Sequence, residues 1–153
     1  MTTVGVISDT HGLLRPEALE ALRGCAHILH AGDIGGPEIL ETLRTIAPVT
    51  AVRGNVDREA WTRGILENQV VEIDGVSIYM LHILADLDLK PEAAGFAAVI
   101  YGHSHKPSQD ITRGVLYFNP GSAGPRRFRL PVTVGRLTIE RDVVRGEIVH
   151  ILP

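Results

Sequence analysis

The chain has 153 residues, 44% of them hydrophobic and 22% charged, with a formal net charge of −3; this is the length of one domain, and one this size buries roughly two thirds of its unfolded surface. The lone cysteine, Cys25, excludes an internal disulfide, and no apolar segment approaches a membrane span, so a soluble protein of the reducing cytoplasm is expected. A balance this close to neutral argues against general nucleic-acid binding, which depends on many cations neutralising phosphates, although residues 121–153 carry six arginines against three acidic residues.

In chain order, Val4 to Ile7 is an apolar run ending in Ser8-Asp9-Thr10-His11-Gly12, the pattern of a buried strand and a polar loop. Pro16 opens a helix with Ala18, Leu19 and Leu22 on one face and Gly24 as its stop. The run Ala26 to Ala31 ends in Gly32-Asp33, and a second helix starts at Pro37 with Ile39, Leu40 and Leu43 as its buried stripe. Val49 to Val52 ends in Gly54-Asn55-Val56-Asp57. Three strand-then-helix units in succession predict a parallel sheet covered on both faces.

From residue 68 the period changes to strand alternation, which predicts a second sheet region. Val70 to Ile73, the pair Asp74-Gly75, and Val76 to Met80 form a hairpin, because Asp-Gly suits a type I′ turn, and its far end delivers His82. A helix near Pro91 to Phe96 feeds the strand Ala97 to Tyr101, which ends in Gly102-His103-Ser104-His105. Two further hairpins follow: Ile111 to Phe118 turning at Arg113-Gly114, and Val132 to Ile139 with Val143 to Ile151. Residues 58 to 67 show no period and contain Trp61. With no linker, repeat or low-complexity segment, residues 1–153 are expected to form a single domain.

The ends of these runs share one chemistry. They carry Asp9 and His11, Asp33, Asn55, His82, and His103 and His105, seven side chains with oxygen or imidazole-nitrogen donors. In open α/β sheets the ligand crevice lies beyond the carboxyl ends of the strands. Each residue alone has a plainer role, as a turn former, a helix cap or a hydrogen-bonded histidine; their coincidence at strand ends favours a metal site. Seven ligands exceed the need of one zinc ion, and the mixture is not the thiolate set of a structural site. Two divalent ions, about 3.5 to 4 Å apart, would favour in-line displacement at phosphorus.

Asp9-Thr10-His11-Gly12, Gly32-Asp33, Gly54-Asn55-Val56-Asp57, His82 and Gly102-His103-Ser104-His105, in this order, resemble the signature of the calcineurin-like metallophosphoesterases. The short chain and the Asn119-Pro120-Gly121-Ser122 loop are similar to the compact bacterial and archaeal phosphodiesterase branch. The resemblance implies an α/β fold in which a two-sheet β-sandwich is flanked by helices, a four-layer αββα arrangement. It implies Asp9, His11, Asp33 and His105 on one ion and Asp33, Asn55, His82 and His103 on the other, with Asp33 bridging. The expected cofactors are two divalent transition-metal ions, with manganese favoured and nickel, iron, cobalt or zinc as alternatives. The expected reaction is phosphoester hydrolysis by a hydroxide bridging the ions, with Asp33, Asn55 and His82 acting through it, on a small phosphate-ester substrate.

Two departures shape the expectation. The third motif of larger relatives carries a histidine after the asparagine, where this chain has Val56; valine can neither steady the transition state nor protonate a leaving oxygen, which favours a diester over a monoester. His82 is followed by Ile83 and Leu84 where many relatives have glycine. Outside the ligand set, Asp57 is a candidate to accept an imidazole N–H or to hold the Asn55 loop. Arg126 or Arg127 could meet phosphate oxygens, His30 could lie by the site or in the core, and Trp61 could flank a substrate ring or pack. His27, His150, Asp86 and Asp88 read as structural, turn or surface residues. A binding scaffold like the retromer subunit that resembles this family, or a nuclease, are the competing functions. An exposed hairpin edge leaves a homo-oligomer open.

Overall fold

The computed structural model describes residues 1–153. Two five-stranded sheets face each other. The first holds β1 (Thr2–Ile7), β2 (His27–His30), β3 (Val49–Ala51), β9 (Thr133–Glu140) and β10 (Val143–His150), in the order β10-β9-β1-β2-β3. The second holds β4 (Asn68–Ile73), β5 (Val76–Leu81), β6 (Phe96–Ile100), β7 (Ser108–Thr112) and β8 (Val115–Asn119), in the order β4-β5-β6-β8-β7. Each sheet contains a parallel trio, β1-β2-β3 at one side of the first and β5-β6-β8 at the centre of the second. The remaining strands, β4, β7, β9 and β10, pair antiparallel.

The helices α1 (Pro16–Ala21) and α2 (Pro37–Arg44) cover the outer face of the first sheet. Each begins with proline, whose fixed φ and missing N–H suit the first turn. Glu38 near the start of α2 and Arg44 at its end complement the helix dipole, and Ile39, Leu40 and Leu43 form its buried stripe. The first sheet is therefore helix-covered on one face only, and its other face packs on the second sheet. The expected third strand-then-helix unit stops at a single 3-10 turn, Ala60–Thr62. The short apolar runs carried no signal for a second sheet as cover, because a strand buried by a helix and one buried by a sheet are equally apolar.

Fifteen buried residues from both sheets make the central core, with Val4, Val6 and Leu29 meeting Ile78, Met80 and Ile100. Phe118 of β8 is fully buried and crosses to the first sheet. A Cβ at Gly135 would lie 2.3 Å from its ring, and one at Gly146 2.5 Å, so the two glycines of β9 and β10 form the socket. The outer layer over the second sheet is thin: a 3-10 turn, Leu84–Asp86, and α3 (Pro91–Ala94), which cover Tyr79, Leu81, Val99 and Val115. The helix expected to reach Phe96 ends after one turn because Gly95 adopts a left-handed φ of 81° and Phe96 starts a strand. The last hairpin, expected only as a further β-unit, returns to the first sheet and lays β9 beside β1. All helices are too short to cross a membrane.

The hairpin turn at Asp74-Gly75 has φ values of 50° and 84°, as type I′ requires, and Arg113-Gly114 repeats the pattern at 51° and 78°. The carboxyl ends of the six strands in the two parallel trios lead into the loops that begin at Ser8, Ala31, Val52, His82, Tyr101 and Pro120.

Candidate metal centre

The seven donors named from the sequence converge at this one end of the sandwich. Asp9 Oδ1 lies 3.4 Å from His105 Nε2 and 3.8 Å from both His11 Nε2 and His82 Nε2. Asp33 Oδ2 lies 3.2 Å from His82 Nε2 and 3.6 Å from His11 Nε2. His11 Nε2 and His105 Nε2 are 3.3 Å apart. Asn55 Oδ1 lies 3.2 Å from His103 Nδ1. The side chains divide into two groups, Asp9 with His11 and His105, and Asp33 with His82 and His103, with donor atoms in each group within 4.8 Å of one another. Asp33 faces both groups.

The loops hold these groups from behind. Asp9 is fully buried, and its Oδ2 accepts from Ser8 Oγ at 2.7 Å and from the His103 backbone N–H at 3.1 Å. His82 Nδ1 donates to the Ala31 carbonyl at 2.7 Å, which puts the proton on Nδ1 and turns a bare Nε2 into the cluster. Asp33 Oδ1 accepts from the Val56 N–H at 3.1 Å. Asp57 accepts from Ile34 N–H at 3.0 Å and Gly54 N–H at 2.9 Å, with Gly35 N–H at 3.3 Å. Of the two roles considered for Asp57, only the second occurs: it ties the Asp33 loop to the Asn55 loop and accepts from no imidazole.

Sequence reasoning missed several supports. Asn119 Nδ2 donates to the Gly102 carbonyl at 3.1 Å and to Ser104 Oγ at 3.2 Å, and Ser122 Oγ donates to the Asp9 carbonyl at 3.0 Å. The Asn-Pro-Gly-Ser resemblance was the one available signal for them. Trp61 packs among the partly buried residues of the helical side. Arg126 donates to the Pro153 carbonyl at 2.9 Å, so it is tied to the chain end and is not directed to an anion. Arg127 lies near enough for its charge to act on His11 and His105. His30 is a core histidine bonded to Thr10, and His27 bonds Thr50 Oγ1 at 2.8 Å. Asp86 and Asp88, read as turn residues, also line a cleft that starts at His82.

The electrostatics of the cluster call for positive charge. The Asp9 carboxylate, 3.8 Å from Nε2, raises the His11 pKa above its usual value against the effect of burial. Burial is the largest influence on His82 and lowers its pKa, but the Asp33 and Asp9 carboxylates outweigh it and the net shift is upward. Burial likewise works against the charge of Asp33, and His82, the Val56 N–H and His11 together more than compensate, leaving its carboxyl below the ordinary range. Asp9 Oδ1 and His82 Nε2 are nevertheless buried with no hydrogen-bond partner. Buried polar atoms without partners are costly, and here they point inward among oxygen and nitrogen donors. The residues present thus fit divalent transition-metal ions.

The model of the calcineurin-like phosphoesterase superfamily domain matches residues 2–142. The chain belongs to that superfamily. A probable metallophosphoesterase of Methanothermobacter thermautotrophicus is 34% identical over 162 residues, covering 96% of this chain and 91% of its own. The solved structure of an archaeal phosphodiesterase superposes with a TM-score of 0.79 at 25% identity, over 97% of this chain and all of that one. Vps29 of Chaetomium thermophilum has the same fold, with a TM-score of 0.77 at 18% identity over 97% of each chain. The two-sheet sandwich expected from the resemblance is present, as in these structural neighbours.

Proposed function

We propose that this calcineurin-like phosphoesterase is a dinuclear-metal phosphodiesterase. The observation that carries the reading is the pair of donor groups sharing Asp33 around buried, unpartnered Asp9 Oδ1 and His82 Nε2. In this reading Asp9, His11, Asp33 and His105 hold one ion and Asp33, Asn55, His82 and His103 the other, with manganese favoured. When bound, two such ions supply an activated water and a clamp on the attacking and leaving oxygens.

The chain's own residues orient and exclude. Ser8, Asn119 and Ser122 fix Asp9 and the 102–104 turn, and Asp57 holds the loops of Asp33 and Asn55 in register. Arg127 binds a phosphate oxygen beside His11 and His105. Val56 is 48% exposed and offers no proton, so the leaving oxygen must depart without a donor from this position. That favours a diester with a stable leaving group over an alkyl monoester. The lone buried Cys25 suits a reducing cytoplasm.

The test is turnover of a panel of monoesters, diesters and cyclic nucleotides by manganese-loaded protein, beside calorimetric metal titration. Two ions per chain and diester turnover are expected, and Asp33→Ala should lower both metal affinity and kcat/KM by at least a hundredfold. Unchanged turnover in Asp33→Ala would end the assignment. The shared fold with Vps29 keeps a non-catalytic scaffold as the second reading; two bound ions with no turnover across the panel would favour it.

A further inference from the structure

Arg58 has no part in the core or in the ligand groups. It is exposed, and its Nε donates to the carbonyl of Asn55 at 3.0 Å. It lines a cleft of about 690 Å³ that begins at Asn55 and His82 and runs outward to Asp86 and Asp88. The other guanidinium of that cleft, on Arg53, is engaged by Glu67 at 3.2 Å. The arginine ion pairs of the molecule are those of Arg23, Arg53 and Arg113, so the charge of Arg58 is unpaired. Its loop neighbours cannot take the same part: Val56 is apolar, and the Asp57 carboxylate is committed to backbone N–H groups.

A guanidinium tethered through Nε keeps both terminal nitrogens for a ligand, in the fork geometry that matches two phosphate oxygens. The tether also removes part of the side-chain freedom that binding would otherwise have to freeze. We propose that Arg58 binds the phosphoryl oxygens of the substrate in this cleft, on the side of Asn55 and His82, and there stabilises the charge that builds up as the ester is cleaved. This rests on the phosphodiesterase reading and deepens it. Arginine stays protonated, so Arg58 transfers no proton and the leaving group departs as its anion; the charge lost with a histidine at position 56 is replaced, and its acidity is not.

The experiment compares wild type, Arg58→Gln and Arg58→Lys, all manganese-loaded, in three measurements: metal stoichiometry, calorimetric binding of inorganic phosphate, and kcat/KM on bis(p-nitrophenyl) phosphate. Glutamine can still donate to the Asn55 carbonyl but carries no charge. Arg58→Gln is expected to keep the wild-type metal stoichiometry while binding phosphate about tenfold more weakly, which is about 1.4 kcal/mol. Its kcat/KM should fall by at least as much, and lysine should restore part of both. Phosphate affinity and kcat/KM equal to wild type in Arg58→Gln would overturn the proposal. So would loss of metal in that variant, which would make Arg58 a support for Asn55. Wild type that binds phosphate through Arg58 but cleaves no diester would retain the anion contact and overturn the phosphodiesterase reading; wild type that cleaves the diester but binds no phosphate would overturn the Arg58 contact alone, and wild type that does neither would overturn both.

Discussion

Five of the seven donor residues, Asp9, His11, Asp33, His103 and His105, adopt left-handed φ values between 46° and 74°. For a residue with a Cβ this conformation costs about 1–2 kcal/mol, and outside the site the non-glycine examples sit in hairpin turns or at Phe128 of the surface loop. The local strain turns the side chains back over the strand ends so that they meet. His30 shows the opposite economy. Its Nδ1 accepts from Gly32 N–H at 3.1 Å, and Nε2 lies 3.0 Å from Thr10 Oγ1, whose own proton goes to the Ile34 carbonyl at 2.7 Å. The ring therefore carries its hydrogen on Nε2 and has no room for a second. Burial pushes its pKa down to about 4 from 6.5. The unfolded chain binds this proton near 6.5 and the folded one resists it to about 4, so the contribution to stability is whole above pH 6.5 and is lost as the pH falls toward 4, at up to about 1.4 kcal/mol per pH unit. In EDTA, the urea midpoint of wild type should fall between pH 7 and pH 5 more steeply than that of His30→Gln; parallel slopes would exclude His30 as the source.

At the scale of elements, the site is an agreement among loops. The Gly54 loop and the Asp33 loop touch: a Cβ at Gly54 would lie 2.1 Å from Asp33 Oδ1 and 2.2 Å from its backbone N. Gly102 meets Ser8 Oγ and Asp9 Oδ2 in the same way, at 2.2 and 2.8 Å. Gly54→Ala should push Asp33 out of place, at a cost of about 1–3 kcal/mol in stability, and weaken manganese binding at least tenfold. Because Gly54 is not left-handed, the effect is steric and not a matter of backbone strain. Calorimetry showing wild-type manganese affinity in Gly54→Ala would disprove this close fit.

At the scale of the molecule, the two parallel trios must be held face to face for their loops to combine, and Phe118 is central to that contact. It stands in the glycine socket of β9 and β10 while its own strand, β8, runs on to Asn119 and the loop that braces Asp9. Phe118→Ala removes a fully buried ring and should cost about 3–5 kcal/mol in urea unfolding. A loss below 1 kcal/mol would mean that the sheets close over the gap. The metal groups should loosen with it, since one sheet supplies Asp9, His11, Asp33 and Asn55 and the other supplies His82, His103 and His105.

The sequence by itself determined the strands, the hairpin turns, the starts of the three proline-led helices and the place of the seven polar side chains just past the strand ends, because each rests on local spacing: apolar runs, Asp-Gly and Arg-Gly turns, and polar groups just past a strand. Only the tertiary structure decided what lies across from what. The return of the last hairpin to β1, the choice between the two roles of Asp57, the use of Asn119 as a brace, and the departure of Arg126 toward Pro153 all depend on contacts between distant segments. Apolarity records that a residue is buried but not what it is buried against, and a polar side chain in a loop does not record which neighbour will take its hydrogen bond. Arg58 belongs with these: in the sequence it is one surface arginine among several, and the carbonyl of Asn55 and the cleft beside His82 give it a direction.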